Sequence, residues 1–188
     1  HMRDQFQRNA LERGYKKFND EDLIMISDID EIPNPKKLKD FNIKNKYGCF
    51  LQKNFQSKIN LLNTTNGNWA GTKICQKKYL KSPQWLRNMK TKKRPFWKIF
   101  SNKIQLIYEG GWHFSFLKDP NSIKNKIVSY SHQEYNTEEF IDIEFIKKRI
   151  LRGEDLFGRD IKYRIIDIDK SYPSYIIENK EKFKNWIL

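Results

Sequence analysis

No apolar run in this chain approaches the roughly 18 residues needed to cross a bilayer, and no signal-peptide pattern opens it. A membrane-spanning helix is therefore not expected here. Cysteine is almost absent, with only Cys49 and Cys75 among 188 residues. That rules out a disulfide framework, and neither thiol has a second Cys or a His at zinc spacing. Both read as reduced, buried thiols of a cytosolic-type protein. Histidine is scarce too, and His1-Met2 reads as a cloning scar, leaving His113 and His132 as native imidazoles. Internal repeats and low-complexity segments are lacking, so one domain over 3–188 is the expectation. Acids are outnumbered, 23 against 37 Lys and Arg, giving a net charge of +14. Such a balance invites a nucleic-acid reading. The lysines are spread along the chain, however, and the abundance of Lys, Asn and Ile matches AT-rich codon bias. No specific nucleic-acid partner is expected, and oligomeric state is left open. Asn63-Thr64-Thr65 fits a glycosylation sequon, a pattern too common to imply secretion.

What is present is concentrated in Leu23–Pro33. Four apolar residues, Leu23-Ile24-Met25-Ile26, run into Ser27-Asp28-Ile29-Asp30-Glu31 and stop at Ile32-Pro33. The apolar run predicts a strand buried on both faces. Carboxylates at its carboxyl end would sit at the rim of an open α/β sheet, where ligands bind. In extended backbone Asp28 and Asp30 share a face. Two hard oxygen donors there suit Mn²⁺ or Mg²⁺, and such an ion neutralises a diphosphate. A similar pattern at Asp167 and Asp169 lacks a third acid and reads as an ordinary strand end.

The remaining pattern alternates helix and strand. An amphipathic helix is predicted over about 4 to 18, with Phe6, Ala10, Leu11, Tyr15 and Phe18 near helical spacing. A short helix opens at Pro35, with Leu38 and Phe41 inward. Residues 47–62 read as extended, and Asn63–Asn68 as a turn into a strand from Trp69 to Gln76. A short helix follows over Pro83–Met89. Ile104–Tyr108 and Trp112–Leu117 are predicted as strands on either side of Glu109-Gly110-Gly111. Helices are expected from Asp119-Pro120 toward Tyr130, from Thr137 to Arg152 ending at Gly153, and from Pro173 to Ile187 after a strand at 163–168.

Ser27–Pro33 resembles the signature of glycosyltransferase family 17, the family of the β-1,4-N-acetylglucosaminyltransferase that adds bisecting GlcNAc to N-glycans. Arg8-Asn9-Ala10-Leu11, Trp69-Ala70-Gly71-Thr72, Gly110-Gly111-Trp112-His113-Phe114-Ser115 and Ser131-His132-Gln133-Glu134 follow the family's order. The resemblance covers roughly residues 3–160. It implies an α/β, GT-A-like (Rossmann-like) mixed sheet flanked by helices. It also implies a UDP-sugar donor, a divalent cation (Mn²⁺ or Mg²⁺) and a glycan acceptor. In a GT-A fold several β-α units precede the acidic strand, whereas one helix precedes it here, so an amino-terminally truncated core is expected.

Other candidates gather around these motifs. Gly110 and Gly111 would let backbone approach a substrate, and Trp112 would stack on a sugar ring. His113 is a candidate metal or phosphate ligand. Against that stands a tight turn with Trp112 in the core and His113 hydrogen-bonded. His132 and Glu134 fall beyond a helix end, on a loop, and share a face in extended backbone. A β-linkage made from an α-linked donor requires inversion and a general base, for which Glu134 and Glu109 are the candidates. Asp30 would bind the ion directly, Asp28 would bind it or the donor hydroxyls, and Glu31 would orient the loop. Trp69 and Gly71 would shape the acceptor side. Lys93, Arg94, Lys98 and Arg159 are candidate phosphate partners, and Trp97 suits core or cleft equally. Two other readings are a metal-dependent nuclease or phosphoesterase and a non-catalytic glycan-binding remnant. The first lacks a Glu-x-Lys beside a strand. The second predicts indifference to Asp30→Ala.

Overall fold

The structure, a computed structural model, describes residues 2–91, 104–129 and 136–188. It belongs to the mixed α/β class, and the chain groups into two compact units. Unit one comprises residues 1–52 and 70–111; unit two comprises 53–69 and 112–188. Strand order is β1 (Leu23–Ile26), β5 (Trp69–Gln76), β3 (Tyr47–Gln56), β4 (Leu61–Asn63) and β7 (Tyr163–Ile165). β6 (Ile104–Ser115) pairs with β3 and with β2 (Glu31–Pro33). No helix among the described residues is long and apolar enough to cross a membrane.

In unit one, β1 pairs antiparallel with β5, Ile24 opposite Cys75 and Ile26 opposite Lys73. The expectation of an acid-bearing strand with apolar contacts on both faces is met from Ile24 to Ile26. Ile24 and Ile26 pack on one face in the core with Tyr47 and Leu86, and Met25, partly buried, packs on the other against Phe41, Phe50, Ile74 and Ile107. Ile24 and Ile26 are buried while Leu23 is 46% exposed. β5, hydrogen-bonded between β1 and β3, is buried from Gly71 to Gln76. Its Cys75 and, on β3, Cys49 are free and buried, and loss of water pushes their thiols up to about 12 and about 11.

The predicted first helix is two pieces, α1 (Met2–Asn9) and α2 (Glu12–Tyr15). Phe6, Leu11 and Phe18 are exposed, and only Tyr15 of that set packs on the core of Ile24, Ile26, Tyr47 and Leu86. Pro35–Asp40 is a 3₁₀ turn capped by the Asn34 side chain; Phe41 is buried there and Leu38 is not. α3 spans Pro83–Arg87, with Ser82 accepting the Trp85 N–H. The two strands expected around Glu109-Gly110-Gly111 are one continuous strand, β6. The glycines do not make a turn. They clear space for neighbouring backbone, since a Cβ on Gly110 would meet Phe50 and one on Gly111 would lie 2.0 Å from the Ile32 carbonyl oxygen.

In unit two, α4 (Pro120–Ser129) is capped by Asp119, which accepts the Ser122 N–H. The helix predicted over 137–152 breaks at Asp142 into α5 (Glu138–Ile141) and α6 (Ile143–Leu151), and the Asp142 carboxylate caps α6 through the Phe145 N–H. Ile123, Ile127, Ile146, Ile150 and Leu156 form one core, and Phe55, Trp112, Phe114 and Tyr172 another. α7 (Ser174–Glu178) continues as a 3₁₀ segment to Trp186. Asp169 accepts the Ser171 N–H in a local turn.

Arg159, a candidate phosphate partner, is committed to the buried Asp155. Its Nε and Nη2 donate to the two carboxylate oxygens at 3.0 and 2.7 Å, and Phe157 N–H and Tyr163 OH add to them. Burial pushes the Asp155 pKa up, but the Arg159 and backbone donors outweigh it and leave the group below its ordinary value. A depressed folded pKa gives stability that is full above the unfolded pKa of about 4 and is lost as pH falls through the folded value. Asp155→Asn is therefore expected to cost about 2 kcal/mol at pH 7 in urea denaturation, discounted for the part-exposed arginine. The gap from the parent should narrow toward pH 3.

Candidate active site

β1 ends at Ile26, and the acids lie in a turn, closed by the Glu31 N–H donating to the Asp28 carbonyl at 3.0 Å. The shared face predicted from extended backbone is thus replaced by turn geometry. Ile29 stands fully exposed at its tip, with Asp28 and Asp30 half-buried on either side.

Glu31 turns inward, its side chain 1% exposed. Arg87, at the end of α3, meets it with two donors, Nη2 to Oε1 at 2.7 Å and Nη1 to Oε2 at 2.9 Å. Nη1 also donates to the Gly71 carbonyl and Nη2 to Asp28 Oδ2, at 2.8 and 2.9 Å. Burial disfavours the guanidinium charge, yet Glu31 and Asp28 overcompensate and raise its pKa. The Asp28 N–H in turn donates to Glu31 Oε2 at 3.2 Å, so Glu31 fixes the turn from beneath. Arg8 of α1 takes the other Asp28 oxygen, Oδ1, at 2.9 Å and reaches Gln84 Oε1 at 2.6 Å. Asn9 accepts the Gln84 N–H. The Arg8-Asn9 motif therefore joins α1 to α3 and both to the acidic turn.

Behind this network sits Lys73, 3% exposed in the middle of β5. Its ammonium donates to the carbonyls of Arg87, the last residue of α3, and of Met89 just beyond it. Burial lowers its pKa. By holding the Arg87 carbonyl it helps aim the guanidinium. Ser27 and Thr72 share a short hydroxyl contact, and Gln52 donates to Thr72.

In unit two, Trp69 stacks on the His113 ring, centroids 4.4 Å apart and planes 11° from parallel. His113 Nδ1 lies 2.9 Å from Asn54 Oδ1. His113 is buried while Trp69 stays 39% exposed, an aromatic surface backed by a fixed imidazole. Trp112, expected on a sugar, is instead a core residue whose Nε1 donates to the Ser171 carbonyl. Gly110 and Gly111 meet β3 and β2 rather than open space. Glu109 has φ 52° and a side chain 79% exposed, ion-paired with Lys37 at 3.3 Å. His132 and Glu134 lie outside the described residues, as do Lys93, Arg94, Trp97 and Lys98.

Mg²⁺ and Mn²⁺ take hard oxygen donors and are commonly held by one or two carboxylates together with substrate phosphates. Among the described residues no group of three His, Cys, Asp or Glu side chains converges as a cage. Asp28 already meets a guanidinium on each oxygen, and Asp30 is the acid of the turn beside it. An ion held at this turn would have to take most of its ligands from a bound phosphate or from water.

The sequence profile of glycosyltransferase family 17 matches residues 1–188, the whole chain. The chain belongs to glycosyltransferase family 17. No match was found among curated proteins or among solved structures. Membership makes the protein a glycosyltransferase, with a nucleotide-sugar donor and a glycan acceptor as its partners. Within this family member, the motifs carry unequal structural roles. The acidic turn, Arg8-Asn9 and Gly71 come together in unit one, and Trp69 with His113 in unit two. Sequence reasoning missed Arg87 and Lys73, because nothing local sets them apart among 37 basic residues.

Proposed function

We propose that the protein transfers a sugar, GlcNAc being the first candidate, from a UDP-sugar to a glycan hydroxyl with inversion at the anomeric carbon. The Asp28-Ile29-Asp30 turn is the donor's diphosphate site in a GT-A-like arrangement. Asp30 is the first ligand of Mn²⁺ or Mg²⁺, and Asp28 supplies its remaining lone pairs. Such an ion would neutralise charge on the leaving diphosphate. The observation that carries this reading is the anchoring of the turn. Glu31 and Arg87 hold it from within and Arg8 from the side, while Asp28 and Asp30 stay at the surface. Preorganised carboxylates bind an ion without reordering the loop. An inverting transfer also needs a base on the acceptor hydroxyl, and Glu134 is proposed for it, with Glu109 the alternative. The exposed face of Trp69 is proposed to receive the acceptor sugar.

Calorimetric titration of UDP and UDP-GlcNAc, with and without Mn²⁺, tests the donor assignment on the parent protein and on Asp30→Asn. Binding that requires the ion and weakens by about tenfold or more in the variant is expected, the order of one lost charged ligand. Equal binding by both proteins, or binding indifferent to chelator, would remove Asp30 and the ion from the donor site.

A further inference from the structure

Unit two contains a cavity of about 400 Å³ that the glycosyltransferase assignment does not use. Its walls are apolar, from Ile150 and Leu151 at the end of α6 and from Trp186. Three lysines line it, Lys58, Lys118 and Lys147, against one carboxylate, Asp119. That carboxylate is already occupied with capping α4, its pKa held down by the Ser122 donors. Lys147 has an exposed i,i+3 partner in Glu144, and Lys118 has no ion pair among the described residues. Lys58 donates to the Asn185 carbonyl at 2.8 Å, and burial lowers its pKa, so an anion beside it would favour its charged form.

Ser57, on the same wall, adds an independent sign. It is 3% exposed, and its Oγ has no hydrogen-bond partner among the described residues. A buried hydroxyl without a partner has lost its water and gained nothing in return, so such groups call for an explanation. Its backbone has φ 63°, a left-handed conformation that a non-glycine residue adopts at a cost.

A bare inorganic anion would satisfy the lysines and leave the apolar walls unfilled. A neutral apolar molecule would fill the walls and leave Lys118 without a counter-charge. The volume lies in the usual range for small-molecule sites, which are mostly apolar with a few placed polar groups. We propose that this cavity binds a compact ring compound carrying one anionic group, a phosphate or carboxylate, with the ring against Trp186 and Ile150 and the anion between Lys118 and Lys147.

The probes are 1-naphthyl phosphate, 1-naphthol and inorganic phosphate, each titrated calorimetrically into the full chain at fixed ionic strength. Saturable binding of naphthyl phosphate is expected, at least tenfold tighter than either of the others. The exposed pair Lys118→Gln/Lys147→Gln should weaken it by about tenfold or more, from lost charged contacts. The exposed pair Lys36→Gln/Lys39→Gln, in unit one, should leave it unchanged. Equal weakening by both pairs would mean general attraction to a basic protein and overturn the proposal. Naphthol binding as tightly as its phosphate, or phosphate as tightly as naphthyl phosphate, would overturn it as well. Failure of the UDP titration leaves this test intact, since it involves none of the residues of the acidic turn.

Discussion

Replacing Arg87 by alanine is expected to destabilise the protein by about 3–5 kcal/mol, the range seen when one partner of a buried ion pair is removed. The reason is what the substitution leaves behind. Glu31 would remain with a side chain 1% exposed, stripped of both guanidinium donors, with the Asp28 N–H still bonded to it. A buried carboxylate in that position either pays a desolvation penalty or takes up a proton. The Gly71 carbonyl and Asp28 Oδ2 would lose a donor as well. Lysine should rescue little, because one ammonium cannot reproduce a fork that serves Glu31, Asp28 and a carbonyl together. The double variant Arg87→Met/Glu31→Gln separates stability from positioning. Removing both charges should recover much of the stability, as replacement of buried pairs by neutral groups often does. Donor binding should not recover, because the turn has lost its anchor. Urea denaturation gives the first quantity and UDP titration the second. An Arg87→Ala cost below about 1 kcal/mol, the scale of a surface pair, would show that this network does not hold the turn.

The contrast between Asp28 and Arg87 also explains what could be read from the sequence. An apolar run stopped by three acids and a proline is a local pattern, and it places a turn with carboxylates whatever surrounds it. β5 was legible with its limits, Trp69 to Gln76, because a Gly/Asn-rich turn marks its start and β-branched residues follow. α3 and α4 were legible from Pro83 and from Asp119-Pro120. The partners of the acids were not. Arg87 lies 56 residues from Glu31, and Arg8 lies 20 from Asp28. Only the fold brings them together. Periodicity failed in the first helix for a related reason: Phe6 and Phe18 have helical spacing but no surface to cover them, so they stay exposed. At β1 the apolar run did mark two covered faces, with Leu23 at its start left exposed. Trp112 and His113 illustrate the limit at the site. Adjacent in sequence, they point to opposite faces of β6, one into the aromatic core and the other against Trp69.

Gly111→Ala is expected to have the largest effect of any single methyl added to this chain. The Cβ would lie 2.0 Å from the Ile32 carbonyl oxygen and 2.9 Å from the Asn34 nitrogen, both backbone atoms that no rotamer change can move aside. Gly111 also has φ 134°, a conformation that side-chain-bearing residues rarely adopt. Relief requires β2 to separate from β6. That would put at risk the 2.8 Å hydrogen bond from Asn34 N–H to the Gly110 carbonyl and shift Glu31 at the start of β2. A cost above about 4 kcal/mol is expected, in the tail reserved for backbone overlap in a packed region. Gly14→Ala is the matched comparison. It lies in α2 with nothing within 4 Å of its added Cβ, and should gain about 0.5–1 kcal/mol from helix propensity and a less flexible unfolded chain. Thermal denaturation of the two variants beside the parent decides the matter. Opposite signs are expected, and a Gly111→Ala protein melting within a few degrees of the parent would mean that β2 does not press on β6 as described.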